Sequence, residues 1–129
     1  MKSVTVIADD KVGLLADISY ILAKSKINID ALYVDVVSGK AVIFMALSDS
    51  KKGKDVLEAA GYEVESDTLV VKAAHGEMEK LTADLGKHGV KIHSSRVLTK
   101  DDNVEVISLG VDKTKKATAI LQKHLITNE

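Results

Sequence analysis

The chain has 129 residues, which is enough for one ordinary domain or two very small ones. A formal net charge of −1 and an aromatic content of 3% argue against nucleic acid as a partner, because neither a basic surface nor stacking platforms are available. The absence of cysteine excludes disulfides, thiolate nucleophiles and cysteine-bound metals.

The first half of the chain alternates between strand-like and helix-like patterns. The helical pattern rests on a stripe of Leu15, Ile18 and Leu22, flanked by Leu14 and Ile21. The predicted elements are a strand over 3–8, a helix over 13–25, a strand over 29–37, a hairpin at 38–40, a strand over 41–48, a helix over 51–60 closed by Gly61, and a short strand over 62–65. This order predicts an α+β, ferredoxin-like βαββαβ unit, with its helices on one face of an antiparallel sheet.

The second half repeats the first. A shift of 63 residues places Gly13 on Gly76 and Ile29 on Ile92. After the hairpin, which is one residue longer in the second copy, a shift of 64 places Val42-Ile43 on Val106-Ile107, so the apolar frame is kept. The repeated elements are a strand over 68–74, a helix over 76–88, a strand over 91–98, a hairpin at 100–103, a strand over 104–111 and a helix over 113–125. We therefore expect two units, residues 1–66 and 67–129, the second with a short or missing fourth strand.

The turn between the first strand and the first helix carries the clearest chemistry. Asp9 and Asp10 precede Gly13 where the helix begins. A helix start offers backbone N–H groups and a positive dipole end to an anion. With a carboxylate beside it for an ammonium group, such a turn suits a small zwitterion.

The run Asp10-Lys11-Val12-Gly13-Leu14-Leu15 resembles the opening motif of the ACT domain, with Val12 where that family usually has Pro. The run Lys26-Ile27-Asn28-Ile29 is similar to the start of the family's second strand. The resemblance implies that Asp10 meets a ligand's ammonium group and that backbone N–H groups of Gly13, Leu14 and Leu15 meet its carboxylate. It also implies that Asn28 and Ile29 line the other wall, across an interface between domains.

The second unit departs from this motif. Lys72-Ala73 replaces Asp9-Asp10, Lys91 replaces Asn28, and Glu77 and Glu79 enter the first helical turn, where they would repel a carboxylate. We expect this unit not to bind in the same way. Its second strand instead offers Arg96, the only arginine, as a bidentate carboxylate partner at the site of the first unit.

Each of these residues also has a structural interpretation. Asp9 and Asp10 would serve as helix caps, and Asn28 as an ordinary turn residue. Gly13 would let the helix approach the sheet closely. Arg96 would be an exposed strand residue.

The sequence contains few features that would indicate a catalytic or a metal-binding site. No nucleophile stands beside a base, and the four histidines lack metal-ligand spacing, so we expect no catalytic residues, no metal and no cofactor. Lysine-rich starts of the second helices, at 51–54 and 113–116, would be solvated or would face an anionic partner. No apolar run reaches the ~18 residues of a membrane span.

These observations predict a non-catalytic, cytoplasmic regulatory protein that binds a small amino acid at an ACT unit interface and forms a homo-oligomer, most simply a dimer. The alternative is a regulatory or partner-binding subunit of a metabolic enzyme, with a vestigial ligand site. A small enzyme is a third hypothesis. The residues name neither the amino acid nor the regulated partner.

Overall fold

The computed structural model describes residues 3–126, which divide into two compact units, 3–67 and 68–126. The elements of the first unit are β1 (Ser3–Asp9), α1 (Leu14–Lys24), β2 (Ile29–Val37), β3 (Lys40–Leu47), α2 (Ser50–Ala59) and β4 (Glu63–Ser66). Those of the second are β5 (Leu69–Ala74), α3 (Glu77–Lys87), β6 (Ile92–Lys100), β7 (Val104–Val111) and α4 (Thr114–Leu121). The α+β fold class and the ferredoxin-like element order predicted from the sequence are confirmed.

The first unit has a four-stranded antiparallel sheet in the order β2-β3-β1-β4. Lys40 at the start of β3 is opposite both Asp9 at the end of β1 and Val37 at the end of β2. Leu47 at the other end of β3 is opposite Ile29, the first residue of β2. Strands β1 and β2 therefore run parallel to each other, with β2 at an edge of the sheet.

The core of the first unit lies between α1, α2 and one face of this sheet. Leu14, Ile18 and Leu22 of α1 are buried in one cluster with Ile43 and Met45 of β3. The predicted stripe is wrong at its first position, because Leu14 is buried and Leu15 is 41% exposed. The helix begins at Leu14, so the inward face repeats every four residues from there.

Three helices end in the same hydrogen-bonded motif, which needs a residue with positive φ just after the helix. Gly61 takes this position after α2 with φ 95°, which confirms its predicted role, and Gly89 takes it after α3 with φ 74°. After α1 the position is filled by Lys26 with φ 60°, and the N–H of Ile27 donates to the Leu22 carbonyl at 2.9 Å. A lysine here adopts a conformation that L residues with a Cβ disfavour.

The described part of the second unit has a three-stranded antiparallel sheet in the order β5-β7-β6. The predicted helix over 113–125 is wrong at its end, because α4 stops at Leu121. Leu125 instead forms a bridge with Val71 of β5, and the N–H of Lys72 donates to the His124 carbonyl at 2.7 Å. Within the described residues, the expected fourth strand is thus present only as a short pairing beside β5.

We predict opposite stability changes at two equivalent helix ends. Lys26→Gly should raise the free energy of unfolding by about 0.5–1 kcal/mol, because glycine adopts positive φ without a Cβ clash. Gly89→Ala should lower it by about 1 kcal/mol for the same reason. Urea midpoints of the two variants and the parent protein measure both changes, and a destabilised Lys26→Gly would contradict the account.

Candidate functional site

The β1–α1 loop is tied to the tip of the β2–β3 hairpin. Lys40 Nζ donates to Asp9 Oδ1 at 2.5 Å, and the N–H of Asp10 donates to the Gly39 carbonyl at 2.9 Å. The ammonium of Lys40 lowers the pKa of the Asp9 carboxyl, and the same hydrogen bond raises the pKa of Lys40. Asp9 is therefore already paired, which leaves Asp10 as the carboxylate of this turn that is available to a cationic ligand.

The start of α1 is not capped by a side chain. Gly13 takes the N-cap position with φ 86°, and the structure has no side-chain hydrogen bond at this cap. The Leu14 N–H makes only a long bond of 3.3 Å to the Lys11 carbonyl. The interpretation of Asp9 and Asp10 as caps of α1 is thus wrong, because Gly13 is the N-cap residue and no side chain is hydrogen-bonded at this cap.

The side chains around this helix start point in different directions. Leu14 is buried in the core, so only its backbone faces the turn. Leu15 and Val12 are exposed, Val12 completely. The turn therefore presents Asp10, backbone N–H groups of the first helical turn, and two apolar side chains.

Asn28 and Ile29 lie at the opposite end of the sheet. The N–H of Asn28 donates to Ser48 Oγ at 2.9 Å, and the N–H of Ser48 donates to the Asn28 carbonyl at 3.0 Å. Asp10 is beside Gly39, at the far end of β2. Eight residue steps along β2 separate the two ends by roughly 26 Å. A single copy of this unit does not bring Asp10 and Asn28 together.

Arg96 belongs to the second unit, where it is exposed on β6, opposite Ser108 of β7. Strand β6 is at an edge of its sheet, as β2 is in the first unit. The guanidinium therefore lies on the surface of the second unit.

The corresponding turn of the second unit carries its own carboxylate. Gly76 has φ 89° at the start of α3, and Glu77 follows in the first helical turn. Glu77 Oε1 accepts the N–H of Ala74 at 2.7 Å, and Glu77 Oε2 is 3.9 Å from His124 Nε2. Sequence reasoning found Glu77 as a source of repulsion but missed this hydrogen bond.

Sequence reasoning also missed Lys40 and Ser48, which hold the Asp9 and Asn28 segments. Both partners come from β3 or its end, 31 and 20 residues away along the chain. A further long-range pair joins Tyr62 to Asp17 of α1, and this hydrogen bond raises the pKa of Tyr62 to about 12. Lys40 could have been predicted as the partner of Asp9 from the register of β1 on β3, because Lys40 is directly opposite Asp9 in that register.

Two other features bear on the range of functions. Among residues 3–126, no group of three or more His, Asp or Glu side chains is placed to hold a metal ion. In the same part of the chain, no helix is both long enough and apolar enough to cross a membrane.

The fold and the turn define a small ferredoxin-like domain whose first helix starts at an uncapped, glycine-led loop. Residues 2–61, which make up most of the first unit, match the family model of the ACT domain. No curated protein sequence matches the chain significantly.

Solved structures with a similar fold cover nearly the whole chain. A protein from Bacteroides thetaiotaomicron is 20% identical, with a TM-score of 0.51 over 95% of this chain and 89% of that one. A protein from Galdieria sulphuraria, described only as an unknown protein, is 19% identical, with a TM-score of 0.45 over 94% and 88% of the two chains. The regulatory subunit of aspartate kinase from Thermus flavus is 15% identical, with a TM-score of 0.46 over 93% and 87%. The first of these extends the fold assignment over both units.

The Asp9–Lys40 ion pair predicts a specific titration. Because Lys40 lowers the pKa of folded Asp9, the pair stabilises the loop at neutral pH, and this contribution is lost as pH falls through that lowered pKa. In Lys40→Met, the pKa of Asp9 should rise to its ordinary value in a carboxyl-detected NMR titration. Asp101 is the control, since backbone N–H groups of Val104 and Asn103 lower its pKa. An unchanged Asp9 pKa in the variant would contradict the ion pair.

Proposed function

We propose that this protein is a non-catalytic, cytoplasmic regulatory protein that binds a small amino acid between two copies of its first unit. The observation that carries the proposal is the uncapped turn beside Asp10, which has the ACT-type sequence. Asn28, which would line the other side of the ligand, lies at the opposite end of the same sheet. Ligand binding would stabilise one arrangement of the two copies, and a partner such as a metabolic enzyme would bind preferentially to that arrangement.

The turn supplies complementary chemistry for an α-amino acid. The Asp10 carboxylate would hold the ammonium group, because Asp9 is already neutralised by Lys40. Backbone N–H groups of Gly13, Leu14 and Leu15 would receive the ligand's carboxylate at the positive end of the α1 dipole. The exposed side chains of Val12 and Leu15 would flank the ligand.

Strand β2 offers the means to complete the site. It is an edge strand of its sheet, and edge strands are the elements that commonly pair with a strand of another chain. Leu32 and Val36 are 39% and 47% exposed on its helix-facing side, beyond the cover of α1. Two copies paired through β2 would bury these apolar side chains together with the strand edge.

The register of that pairing follows from the position of the two half-sites. An antiparallel β2–β2 pair centred on Tyr33 puts Asn28 of one copy opposite Ser38 of the other. Ser38 precedes Gly39, whose carbonyl holds the N–H of Asp10. The same two-fold axis generates both sites of the dimer, each with Asp10 from one copy and Asn28 and Ile29 from its partner.

Arg96 stays a prediction from the sequence: it lies on the edge strand β6 of the second unit, and the fork geometry of a guanidinium suits bidentate binding of a carboxylate. The remaining site residues do not depend on it.

Amino-acid binding is tested by titration calorimetry after a thermal-shift screen of the twenty amino acids. A ligand at 100 times its Kd should add ~2.7 kcal/mol of stability. Asp10→Asn should weaken binding of the ligand found by ~1.5–3 kcal/mol, about tenfold to a hundredfold, since it removes the charge from the ammonium contact. The stability of the free protein should not change, because Asp10 does not cap α1.

The matched control is Asp102→Asn, an exposed carboxylate in the hairpin of the second unit, which should leave affinity unchanged. If Asp10→Asn binds the amino acid as tightly as the parent protein, Asp10 does not contact the ligand and the proposed site is wrong. A screen without any stabilising amino acid would favour the alternative function, a partner-binding subunit with a vestigial site.

The dimer register is tested with a single cysteine, because the chain has none of its own. Tyr33→Cys should form an interchain disulfide under mild oxidation, since residues opposite each other in an antiparallel pair have Cα atoms about 4.5–5.5 Å apart. Asp30→Cys should not, because its two copies would be roughly 20 Å apart. Light scattering that gives the 13.8 kDa monomer mass with and without ligand would refute the dimer.

A further inference from the structure

We infer that a basic surface on the second unit binds a carboxylate-rich segment of a partner protein. This basic surface consists of residues 87–93, where α3 ends and β6 begins, and residues 112–116, where β7 ends and α4 begins. The inference goes beyond amino-acid binding by the first unit and does not depend on it. It gives the second unit, which lacks the ligand motif, a role of its own.

Hydrogen bonds hold the two segments of the basic surface side by side. The N–H of Lys91 donates to Asp112 Oδ1 at 2.9 Å, and the N–H of Asp112 donates to the Lys91 carbonyl at 3.1 Å. Lys113 Nζ donates to the Gly89 carbonyl at 2.8 Å. The first residue of β6 is also opposite the last residue of β7 in the sheet. The charged side chains of both segments therefore belong to one end of the unit.

The basic surface carries much more positive than negative charge. It contains five lysines and one aspartate, all of them exposed: Lys87, Lys91, Lys113, Lys115, Lys116 and Asp112. The N–H of Lys91 lowers the pKa of the Asp112 carboxyl, so this carboxylate is ionised at neutral pH. Lys113 is bound to a carbonyl oxygen, which leaves its positive charge uncompensated. The formal charge of the surface is thus +4 with both of its histidines neutral.

The matching end of the first unit is less basic. The repeat places 24–30 on 87–93 and 48–52 on 112–116, and these ranges of the first unit contain four lysines and two aspartates. One of the aspartates, Asp49, caps α2, where its carboxylate accepts the N–H of Lys52 at 3.0 Å. Its counterpart at α4 is Lys113, and no side chain is hydrogen-bonded at that cap. The second unit therefore has a lysine where the first has a capping carboxylate.

Lys115 and Lys116 lie where a positive charge does not favour the fold. Both are in the first turn of α4, and cations there oppose the helix dipole. Among residues 3–126, neither lysine makes an ion pair that would offset this cost. Local stability thus gives no reason for two lysines at these positions, whereas an anionic partner does.

The composition of the basic surface favours protein carboxylates over a nucleic acid. Its permanent cations are all lysines, which act as flexible point charges, and it contains no arginine for bidentate contacts with phosphate. It contains no Phe, Tyr or Trp on which a base could stack. Cations spread over two segments match several carboxylates along one chain, so we assign an aspartate- and glutamate-rich segment as the partner.

The test uses the full chain and a peptide of about eight glutamates as the probe, at about 50 mM sodium chloride, where exposed charges are weakly screened. Backbone amides followed by NMR should show saturable shifts in 87–93 and 112–116. A glutamine peptide of the same length should cause none. Addition of sodium chloride to about 0.5 M should abolish the shifts, because the Debye length then falls well below 10 Å.

Charge reversal at Lys115 and Lys116 provides the decisive variant. The double substitution Lys115→Glu, Lys116→Glu should weaken binding of the glutamate peptide by about tenfold or more, since two attractions become repulsions. This variant should stay folded, because glutamates in the first turn of α4 complement the helix dipole. Lys51→Glu, Lys52→Glu is the matched control at the corresponding positions of the first unit, and it should change the affinity by less than about twofold.

Shifts confined to the basic surface and lost in the Lys115→Glu, Lys116→Glu variant support the inference. Absence of saturable shifts, shifts centred on the first unit, or equal loss of affinity in the two double variants would overturn it. A DNA duplex that binds the basic surface more tightly than the peptide would also overturn it, because the partner would then be a nucleic acid. Amino-acid binding should be the same in this variant and the parent protein, so failure of the proposed function is seen separately.

Discussion

The direction of β2 decides whether one copy of the first unit can bring Asp10 and Asn28 together. Because β1 and β2 both run antiparallel to β3, they are parallel, and the loop after β1 lies at the end of the sheet opposite the start of β2. Asp10 and Asn28 are thus kept apart by the whole length of a nine-residue strand. A site that uses both residues needs a second copy, and an edge strand with exposed Leu32 and Val36 offers the surface for it.

The two units repeat parts of one backbone arrangement with different side chains. Each has a glycine with positive φ at the start of its first helix. In each, the residue just before the second strand donates its N–H to a side-chain oxygen and accepts the N–H of that same partner at its carbonyl. In the first unit Ser48 makes that pairing with Asn28, and in the second Asp112 makes it with Lys91. The two units thus place different side chains at corresponding points of a repeated frame.

Local patterns in the sequence predicted the element order, the bounds of β2 and the role of Gly61, because hydrophobic period and glycine conformation are local properties. The pattern failed at the end of α4. Leu121 and Leu125 keep helical spacing, yet Leu125 pairs with Val71 of β5, more than fifty residues away along the chain. The ion pair between Asp9 and Lys40 could not be predicted from local patterns either, because only the register of β1 on β3 brings the two residues together. The turn itself was recognisable from its residues, but the separation of Asp10 from Asn28 required the sheet topology.

Subunit complementation tests the shared site most directly. Asp10→Asn and Asn28→Ala chains should each bind the amino acid weakly as separate dimers, because every site then lacks one partner. Mixed and allowed to exchange, they should recover about one quarter of the parent's binding capacity at parent affinity, since half of the dimers are mixed and each mixed dimer contains one intact site. A mixture that binds no better than its separate components would contradict a site built from two copies.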